Sequence, residues 1–447
     1  MIDEKYLSDW SGTRYGTPSG LEQPADTAHV SRVLQRCNDL RHPIAVQGGR
    51  TGVSGGAAPG DGELVLSLER LNQIEEFDRN SGLVIVGAGV ILEDLQRAVE
   101  ADGWSFPIDL ASRGSCQVGG NVATNAGGSR VLKYGCVRES VLGLEAVLAD
   151  GTIIGPPNRL VKNNAGYSLS SLMVGSEGTL GVVTKVALRL VRLVSARRTA
   201  LIALATDTTI DALLSRIRRG LSDSLSAFEV MWPDYVQGAI RSRGMTRELP
   251  SSFQEARVVL IEVEGDTDYA LGELLESCLS ACVEDELILD VIMSASSRDA
   301  MSLWAIREAL PEIQSHIRPY VGFDLGIPAG EHDAFVVAAK KLLHERAPAM
   351  KSYFFGHAGD DNLHAVVGPC PSPEERMWVE TTLFNLLVPG RFSVTAEHGI
   401  GRKKKVYLPK SRSLGDITAM RAIKNSLDPH WILNPGRIFD DVVSARS

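Results

Sequence analysis

Two histidines and a glutamate toward the C-terminus are of the residue types that bind divalent metals. His357 and His364 flank a turn rich in glycine and aspartate, and Glu397 follows 33 residues after the second histidine. Neutral imidazoles and carboxylates are ordinary zinc ligands, and three protein ligands leave a coordination position open for a substrate. The pattern predicts a catalytic divalent metal site, with zinc or manganese as the ion. A solvated hairpin without metal is the alternative that the spacing leaves open.

The segments on either side of this turn have the composition of β-strands. Lys351 to Phe355 and Leu363 to Val367 are predicted to form an antiparallel hairpin, closed by the turn residues Gly359 to Asn362. Residues that oppose each other directly across such a pair have Cβ atoms about 5 Å apart. We therefore expect His357 and His364 to face each other as a cross-strand pair.

Two glycine-rich loops in the first half of the chain predict a site for an anionic cofactor. The loop from Gln47 to Gly56 contains five glycines in ten residues, which weakens packing unless the backbone must approach something closely. Consecutive exposed amides bind anions, and a pyrophosphate is the expected ligand. The loop from Val118 to Gly128 adds amide side chains that can bond the polar edge of a heterocycle. Flexible surface loops are the alternative interpretation.

A third turn resembles a dinucleotide-binding motif without completing it. The apolar run Leu83 to Val86 leads into Gly87 and Gly89, but Leu92 occupies the position of the third glycine. The ribose-binding acid expected about 20 residues after a first βα turn is also not evident. We interpret this turn as a tight structural one.

Composition and charge narrow the class of protein. A chain of 447 residues, 44% hydrophobic and 23% charged, is long enough for two or three cores. The net charge of -9 argues against nucleic acid or an anionic membrane as the main partner. The sparse cysteines, the polar N-terminus and the lack of a long apolar run predict a cytoplasmic protein, peripheral to a membrane at most. Cys278 and Cys282 lie one helical turn apart and are expected on a buried face.

The predicted elements divide the chain into three parts and indicate an α+β fold. Residues 1–195 alternate short strands with helices such as Thr27 to Leu40. Residues 196–396 place longer amphipathic helices between strands, which fits one antiparallel sheet covered by helices. Residues 397–447 carry a helix from Leu414 to Ser426 that a proline ends. The other predicted elements are strands at Pro43–Val46, Leu64–Leu68, Leu142–Leu148, Val182–Leu190, Leu201–Ala205, Val258–Val263, Leu289–Met293 and Phe323–Ile327, and helices at Leu92–Asp102, Ile210–Leu221 and Asp333–Glu345.

Six motifs in order resemble a known family. Besides the two glycine loops and the histidine turn, they are Ser176 to Thr184, Glu397 to Gly401 and Ile432 to Arg437. Together they are similar to the FAD-linked oxidases of vanillyl-alcohol oxidase type, and within these to the D-lactate, glycolate and D-2-hydroxyglutarate dehydrogenase branch. The resemblance covers nearly the whole chain. It implies a two-subdomain FAD-binding domain, a substrate or cap domain, and a C-terminal segment that returns to the FAD-binding domain.

The resemblance implies FAD as the cofactor, bound noncovalently because no histidine occupies the glycine loops. The first loop is then expected to hold the diphosphate, and Asn434 to approach the flavin from the returning segment. The implied FAD-binding residues are Gly48, Gly49, Arg50, Thr51, Gly52, Ser54, Gly55, Pro107, Asp109, Gly119, Gly120, Asn121, Ala123, Thr124, Asn125, Gly127, Gly128, Glu177, Gly178, Gly181, Val182, Val183 and Asn434.

The resemblance also assigns roles to the polar residues of the second half. Oxidation of a 2-hydroxy acid removes the hydroxyl proton and moves the C2 hydride to flavin N5, and a divalent cation on the hydroxyl would lower its pKa. His357, His364 and Glu397 match the family's metal ligands. His398 matches its proposed general base, with a role in orienting a neighbour as the alternative. Arg307 matches the arginine that binds the substrate carboxylate, with a helix-surface ion pair as the alternative.

Two departures from the family pattern bear on the substrate. Relatives that act on 2-hydroxyglutarate have a hydroxyl residue and a lysine where this chain has Pro311 and Gly322. Neither side chain can bind a second carboxylate, so a monocarboxylic acid such as D-lactate is favoured, although Arg318 lies nearby. Asp361 replaces a glycine of the family's turn and is expected to adopt a positive φ.

The sequence also leaves other functions open. D-2-hydroxyglutarate or glycolate oxidation, a carbon–oxygen bond-forming enzyme like the alkylglycerone-phosphate synthases, a noncatalytic flavin subunit and a UDP-sugar reductase share this flavin fold. The expected partners are a small 2-hydroxy acid and an electron acceptor, which is a quinone, a cytochrome or an electron-transfer flavoprotein. A homodimer is left open. The basic run Arg402 to Lys405 either docks an acidic partner or is a solvated face.

Overall fold

The computed structural model describes residues 2–243 and 249–440. The chain folds into two compact units. The first contains the chain up to Gly128, from Tyr134 to Leu193, and from Glu397 onward. The second contains Val194 to Ala396 together with the short segment Ser129–Lys133. The residues on both sides of that segment belong to the first unit.

Strands and helices are numbered here in chain order. The strands are β1 (Gly20–Glu22), β2 (Ile44–Gln47), β3 (Leu64–Ser67), β4 (Ile74–Asp78), β5 (Leu83–Gly87), β6 (Trp104–Ser105), β7 (Val141–Val147), β8 (Ile153–Ile154), β9 (Val182–Arg189), β10 (Val191–Arg192), β11 (Ala196–Leu204), β12 (Leu225–Met231), β13 (Val258–Gly265), β14 (Ile288–Met293), β15 (Val321–Gly326), β16 (Lys351–His357) and β17 (Asn362–Gly368).

The α-helices are α1 (Thr27–Leu40), α2 (Leu92–Glu100), α3 (Val118–Thr124), α4 (Val131–Tyr134), α5 (Val137–Ser140), α6 (Leu169–Met173), α7 (Ile210–Leu221), α8 (Pro233–Arg243), α9 (Ser252–Glu255), α10 (Asp268–Glu284), α11 (Ser297–Arg307), α12 (Leu310–Ser315), α13 (His332–Arg346), α14 (Pro373–Asn385) and α15 (Leu414–Leu427). Short 3-10 helices are formed by Glu4–Tyr6, Ser222–Ser224, Ala329–Glu331, Ala358–Asp360 and Lys405–Lys410.

The first unit is built on two principal sheets. Strands β1, β3 and β2 pair in parallel, and a five-stranded sheet has the order β4-β5-β9-β7-β8 with antiparallel neighbours. Helix α1 begins after Asp26, whose side chain accepts a hydrogen bond from the amide of His29 at 2.7 Å. Its buried residues recur at helical spacing, so one face of α1 packs into the core that includes β2 and β3.

The C-terminal segment completes the edge of the parallel sheet. The amide of Ile44 in β2 donates to the carbonyl of Ile432 at 2.7 Å, and the amide of Asn434 donates to the carbonyl of Ile44 at 2.9 Å. Strand β2 therefore has a partner from the far end of the chain on one side and β3 on the other.

The turn after β5 is structural, as predicted. A Cβ atom on Gly87 would lie 2.1 Å from the carbonyl oxygen of Leu71, and one on Gly89 would lie 2.2 Å from that of Leu68. Strand β5 also pairs antiparallel with both of its neighbours, whereas the dinucleotide fold needs parallel strands. These glycines are required because two backbones approach closely.

The second unit is one antiparallel sheet of seven strands in the order β14-β11-β13-β12-β16-β17-β15. Side chains on one sheet face, such as Met231 and Leu260, share a core with α8, α9, α11 and α12. On β15, Phe323 points away from that face and contacts Phe384 of α14, with ring centroids 5.4 Å apart. The prediction of one helix-covered antiparallel sheet is confirmed.

Most predicted elements are present. Helices at Thr27–Leu40 and Ile210–Leu221 are confirmed at both ends, and Cys278 and Cys282 are both buried on α10 as predicted. Strand β12, at Leu225–Met231, is missing from the prediction although all seven of its residues are buried. Strand β4 is also present in the structure but absent from the prediction. Within the described residues, no helix is long and apolar enough to cross a membrane.

Candidate functional site

The histidine turn forms a hairpin whose register differs from the prediction. Phe355 opposes His364 directly, so His357 lies diagonally from His364 and the predicted direct pair is wrong. The reason is that the chain reverses through a 3-10 turn at Ala358–Asp360 followed by Asp361, one residue earlier than predicted. Asp361 has a φ of 64°, so its predicted left-handed conformation is confirmed.

Both histidines nevertheless lie on the same sheet face. Their ring centroids are 5.3 Å apart with planes at 80°, and the His364 ring packs on Phe355 at 5.2 Å. Potential ligand atoms of His357, His364 and Glu397 all lie within 4.8 Å of one another. Two imidazoles and a carboxylate at this proximity fit a borderline divalent cation such as zinc or manganese.

Asp324 anchors the chain immediately before Glu397. This buried side chain accepts hydrogen bonds from the hydroxyl of Thr395 at 2.7 Å and from the amide of Ala396 at 3.2 Å. Asp324 also opposes His364 in the β15–β17 register. The backbone that leads into Glu397 is therefore fixed to the strand next to one of the two histidines.

Glu229 is a further site residue that sequence reasoning did not identify. It lies on β12 with 1% of its surface exposed, one carboxylate oxygen is 2.6 Å from His357 Nδ1, and the other accepts from Arg307 Nε at 2.7 Å. Burial alone would raise the pKa of this carboxyl, but the charges of His357 and Arg307 and their hydrogen bonds hold it below its usual range. An ionised carboxylate only accepts, so Nδ1 of His357 carries a proton, and Nε2 is the ring nitrogen that could bind a metal.

The signal for Glu229 in the sequence is a single acid within an apolar run. Leu225 to Met231 contains that glutamate, a serine and five apolar residues. A buried strand that carries one carboxylate must pair it with a cation or a donor. The strand was missed, so its carboxylate was missed with it.

Arg307 is buried at the end of α11. Its guanidinium stacks over the ring of Phe355 at 4.7 Å, and its backbone carbonyl accepts from the hydroxyl of Tyr235 at 2.5 Å. Its ionic partner Glu229 comes from the sheet, so the alternative of an ion pair on the helix surface is wrong. Its role in binding a substrate carboxylate stays a prediction.

The two specificity positions are exposed. Pro311 lies in the first turn of α12, and Gly322 lies on β15. A Cβ atom on Gly322 would meet no heavy atom within 4 Å. Arg318, the residue considered as a substitute cation, is also exposed. There is therefore room for a long side chain at position 322.

The first glycine loop approaches the backbone of a neighbouring turn. A Cβ atom on Gly49 would lie 2.2 Å from the carbonyl oxygen of Ser115, and one on Gly48 would lie 3.5 Å from Oε1 of Gln117. Arg50 has a φ of 59° and Gly55 one of 75°. Within the described residues, Oε1 of Gln117 is buried without a hydrogen-bond partner. An unpartnered buried acceptor beside a glycine loop fits a ligand that brings its own donor.

The second loop is mostly the short helix α3, and several of its side chains bond within the protein. The amide group of Asn121 donates to the sulfur of Cys116 at 3.6 Å, the hydroxyl of Thr124 donates to the carbonyl of Gly120 at 3.0 Å, and Oδ1 of Asn125 accepts from the amide of Arg138 at 3.1 Å. These bonds stabilise the loop itself. Contacts with FAD at this loop stay a prediction.

Glu177 and Asn434 tie the C-terminal segment to the rest of the first unit. The two carboxylate oxygens of Glu177 accept from the amides of Ile400 at 2.7 Å and Gly401 at 2.8 Å. Asn434 accepts from the amide of Val46 at 2.8 Å and donates to the carbonyl of Glu177 at 2.7 Å. Burial raises the pKa of Glu177, and the amide hydrogen bonds only partly oppose that shift. In the structure both side chains connect segments of backbone.

Several other predicted cofactor residues are closely packed within the first unit, and their contacts with FAD stay a prediction. A Cβ atom on Gly128 would lie 2.0 Å from the carbonyl oxygen of Asp109, and one on Gly119 would lie 2.5 Å from Cβ of Ala88. Asp109 pairs with Arg113. The other members are Pro107, Val182 and Val183, which are buried; Gly178, which has a φ of 67°; and Gly181, where a Cβ atom would lie 3.0 Å from the sulfur of Met173.

His398 is exposed, and its backbone is held by the first loop. The hydroxyl of Ser54 lies 3.0 Å from the carbonyl oxygen of His398 and 3.1 Å from that of Gly399, so it can donate to either. In the basic run that follows, Arg402 donates to the buried Glu63 at 2.5 Å and Lys405 pairs with Asp440. The interpretation of this run as a solvated face is therefore wrong for these two residues.

Comparison with known families and proteins identifies the group. A family model described as "FAD binding domain" matches residues 18–155, and one described as "FAD linked oxidases, C-terminal domain" matches residues 194–438. The chain is 36% identical over 448 residues to a D-2-hydroxyglutarate dehydrogenase of Xanthomonas citri pv. viticola, which covers 98% of this chain and 92% of that protein. It is 36% identical over 429 residues to the mitochondrial D-2-hydroxyglutarate dehydrogenase of Rattus norvegicus, with 96% and 79% covered.

Solved structures agree with this at the level of the fold. p-Cresol methylhydroxylase with substrate bound has a TM-score of 0.76 at 16% identity, with 98% of this chain and 92% of that chain covered. The 4-ethylphenol oxidase from Gulosibacter chungangensis has a TM-score of 0.73 at 18% identity, with 99% and 93% covered. The chain belongs to the FAD-linked oxidase family and has a fold of vanillyl-alcohol oxidase type, as the order of its motifs predicted.

Proposed function

We propose that this protein is an FAD-dependent dehydrogenase that oxidises a D-2-hydroxy acid to the 2-oxo acid, with a divalent metal at His357, His364 and Glu397. The FAD-binding family match and the names of the dehydrogenase relatives support the reaction class. The observation that carries the proposal is the cluster of His357, His364 and Glu397, whose potential ligand atoms lie within 4.8 Å of one another. Glu229 links His357 of this cluster to the buried Arg307.

The glycine loops are proposed to hold the cofactor noncovalently, because neither loop contains a histidine. Bound FAD supplies the acceptor for the hydride that leaves C2 of the substrate. Gly48 and Gly49 keep the first loop close to the neighbouring turn, and Oε1 of Gln117 can accept a hydrogen bond from the cofactor.

The polar residues Arg307, His357, His364, Glu397 and His398 are proposed to bind and orient the hydroxy acid. Arg307 presents a rigid, always charged guanidinium that suits a carboxylate. A bound divalent cation supplies a Lewis acid that makes the substrate hydroxyl easier to deprotonate. His398, which follows a metal ligand in the chain, is proposed to accept that proton at an imidazole nitrogen.

The substrate is proposed to be a monocarboxylic D-2-hydroxy acid, with D-lactate as the best candidate. Pro311 offers no hydrogen-bond donor and Gly322 no side chain, so neither supplies a partner for a second carboxylate. D-2-Hydroxyglutarate is the second candidate, and it is favoured by the names of relatives at 33 to 36% identity. The acceptor is proposed to be a quinone, a cytochrome or an electron-transfer flavoprotein.

The experiment that tests the reaction is anaerobic bleaching of the flavin absorbance by D- and L-2-hydroxy acids, with and without a chelator. We expect rapid bleaching by D-lactate, slow bleaching by the L-isomer, and loss of the rapid phase after metal removal. A purified protein without flavin, or bleaching that a chelator leaves unchanged, would contradict the cofactor or the metal assignment respectively.

Substitution at position 322 tests the substrate. Because Gly322 faces open space, Gly322→Lys adds a cation at the family's position for the second carboxylate without a clash. We expect kcat/KM for D-2-hydroxyglutarate relative to D-lactate to rise by up to about tenfold, the effect of roughly 1.4 kcal/mol. Gly322→Met is the uncharged control of similar length. Wild-type preference for D-2-hydroxyglutarate would overturn the monocarboxylate proposal directly.

A further inference from the structure

The buried carboxylate of Glu229 connects two groups to which the proposed function gives different tasks. We infer that Glu229 is a positioning residue that orients the metal ligand His357 and the substrate-binding Arg307 together, so that metal affinity and substrate-carboxylate affinity depend on one side chain. The inference rests on the proposed function, because it takes from there the tasks of those two residues.

The geometry divides the two carboxylate oxygens between the two partners. Glu229 opposes His357 directly in the β12–β16 register, and its first oxygen lies 2.6 Å from Nδ1 of that ring. Its second oxygen accepts from Nε of Arg307 at 2.7 Å. Both bonds are charge-assisted and lie out of water, where such bonds have well-defined geometry. Neither partner can rotate away without leaving an oxygen of a buried charge unpaired.

The bond to the imidazole also selects the nitrogen that faces a metal. A carboxylate at Nδ1 keeps the proton there, which presents the lone pair of Nε2 to a cation and makes it more basic. The bond to Arg307 acts on the other partner in the same way. It fixes the guanidinium plane through Nε and orients the two Nη atoms, which together can bind a carboxylate in a bidentate manner.

A neighbouring carboxylate shows that burial and ion pairing alone do not define this role. Glu262 lies on the adjacent strand β13, on the same sheet face, and is 5% exposed. It accepts from Arg130 at 3.4 Å and from the indole of Trp304, on the same helix as Arg307, at 3.1 Å. Glu262 therefore also anchors α11 to the sheet, but its bonds go to neither His357 nor Arg307. It is a matched control for a change of buried charge.

Replacement of Glu229 by glutamine removes one of its two acceptor groups. The amide can accept through its oxygen from one partner, but its nitrogen is a donor and would face the donor of the other partner. If the imidazole loses its acceptor, the proton is no longer held at Nδ1. If the guanidinium of Arg307 loses its acceptor instead, the guanidinium plane is no longer fixed. Glu229→Asp keeps the charge but is shorter by one methylene, so it cannot reach both partners.

The test measures zinc affinity and steady-state kinetics on the full-length flavoprotein. Zinc binding to the chelator-treated protein is titrated by competition with a chromogenic chelator, and KM and kcat are measured with D-lactate. We expect Glu229→Gln to weaken zinc binding by about 10- to 100-fold, the usual loss for an outer partner of a ligand histidine. We also expect a higher KM for D-lactate, together with unchanged flavin content. Glu262→Gln should change zinc affinity by less than twofold.

Two further variants keep the inference falsifiable if Glu229→Gln is unstable. Glu229→Asp should fold and lose affinity for zinc to an intermediate degree. In a double-mutant cycle, Glu229→Asp combined with Arg307→Lys should reduce kcat/KM by less than the product of the single losses, because the two residues act as one unit.

The outcomes separate this inference from the proposed function. Zinc affinity that is equal in wild type, Glu229→Gln and Glu229→Asp overturns the inference. Equal losses in Glu229→Gln and Glu262→Gln also overturn it, since they would reflect only a disturbed core. A wild-type protein that binds no zinc overturns the proposed metal site, and this is read before any variant is compared. The zinc titration does not depend on turnover, so a wrong substrate leaves it readable.

Discussion

Two carboxylates, the partly buried Glu177 of the first unit and the buried Glu229 of the second, are stabilised in different ways. Glu177 in the first unit is held by backbone amides of Ile400 and Gly401, and its pKa is raised. Glu229 in the second unit is held by an imidazole and a guanidinium, and its pKa is lowered. Around Glu177 the neutral amides do not fully offset the loss of water, whereas around Glu229 the side-chain partners do. Glu177 is thus held by backbone, and Glu229 by side chains.

The largest effect is expected for the loss of a proposed metal ligand in the second unit. His364→Ala removes one of the two imidazoles of the cluster, and within the described residues only His357 and Glu397 then remain in it. We expect activity to fall by more than the roughly 10- to 100-fold loss for an outer partner, with flavin content unchanged because the loops proposed to bind FAD lie in the first unit. Metal analysis and kcat measure this. Normal metal content at a normal rate would remove His364 from the ligand set.

The next effect concerns the guanidinium. Arg307→Lys keeps the charge but replaces a planar fork with a point charge. We expect kcat/KM to fall by roughly 10- to 100-fold, as for the loss of a charge-assisted hydrogen bond of about 1.5–3 kcal/mol, mainly through a higher KM. Initial rates over a range of D-lactate concentrations separate the two constants. Indistinguishable kinetics for Lys and Arg would reject carboxylate binding by this residue.

In the glycine loops of the first unit, the effect of an added methyl group on stability should depend on how closely another backbone segment approaches the glycine. Gly49→Ala places a Cβ atom 2.2 Å from the carbonyl of Ser115, and we expect a loss of about 1–3 kcal/mol in the free energy of unfolding, as for overpacking. In Gly120→Ala the new atom meets nothing within 4 Å, and this position is helical, so the apoprotein should be as stable or more stable. Chemical denaturation and flavin titration of both variants give the comparison. Weaker FAD binding in stable Gly120→Ala would show that the ligand itself approaches that glycine.

The smallest effect is on the pH dependence of stability in the first unit. Glu177 has a raised pKa, so its contribution is largest at low pH and is lost as pH rises through the folded pKa. For Glu63, burial alone would raise the pKa, but the charges of Arg437 and Arg402 outweigh burial and lower it. The contribution of Glu63 to stability is therefore present above the ordinary pKa of 4.5 and is lost as pH falls through the folded value. In melting curves, relative to wild type, Glu177→Gln should therefore gain stability as pH rises above the ordinary pKa of 4.5, whereas Glu63→Gln should lose stability as pH rises from the folded pKa of Glu63 toward 4.5. Parallel profiles would reject this difference.

The elements that sequence predicted well are those with one clear pattern. Helix α7 alternates buried and exposed residues at helical spacing, and both of its ends agree with the prediction. Strand β12 is buried on both faces and includes a serine and a glutamate, so it has neither the alternation of a half-buried strand nor a purely apolar run. It was therefore missed, and the residue that links the two halves of the site was missed with it.

Chemical type was easier to predict than geometry. The residue types at His357, His364 and Glu397 predicted that these side chains cluster. The register of the β16–β17 hairpin depends on a 3-10 turn, which the Gly-Asp-Asp-Asn composition does not specify. Similarly, the motifs containing Glu177 and Asn434 identify the family, whereas in the structure their side chains connect distant segments of backbone. Sequence order cannot show which groups meet when the partners are hundreds of residues apart.

The bond between strand β2 and the returning tail has a consequence for biosynthesis. The amide of Val46 donates to Asn434 across 388 positions of the chain. At about 5–20 residues per second, a ribosome needs roughly 20–80 s to make that interval. Throughout this time the edge of β2 is already synthesised but lacks its partner, so the nascent chain carries an unpaired strand edge, which is a template for pairing with another polypeptide.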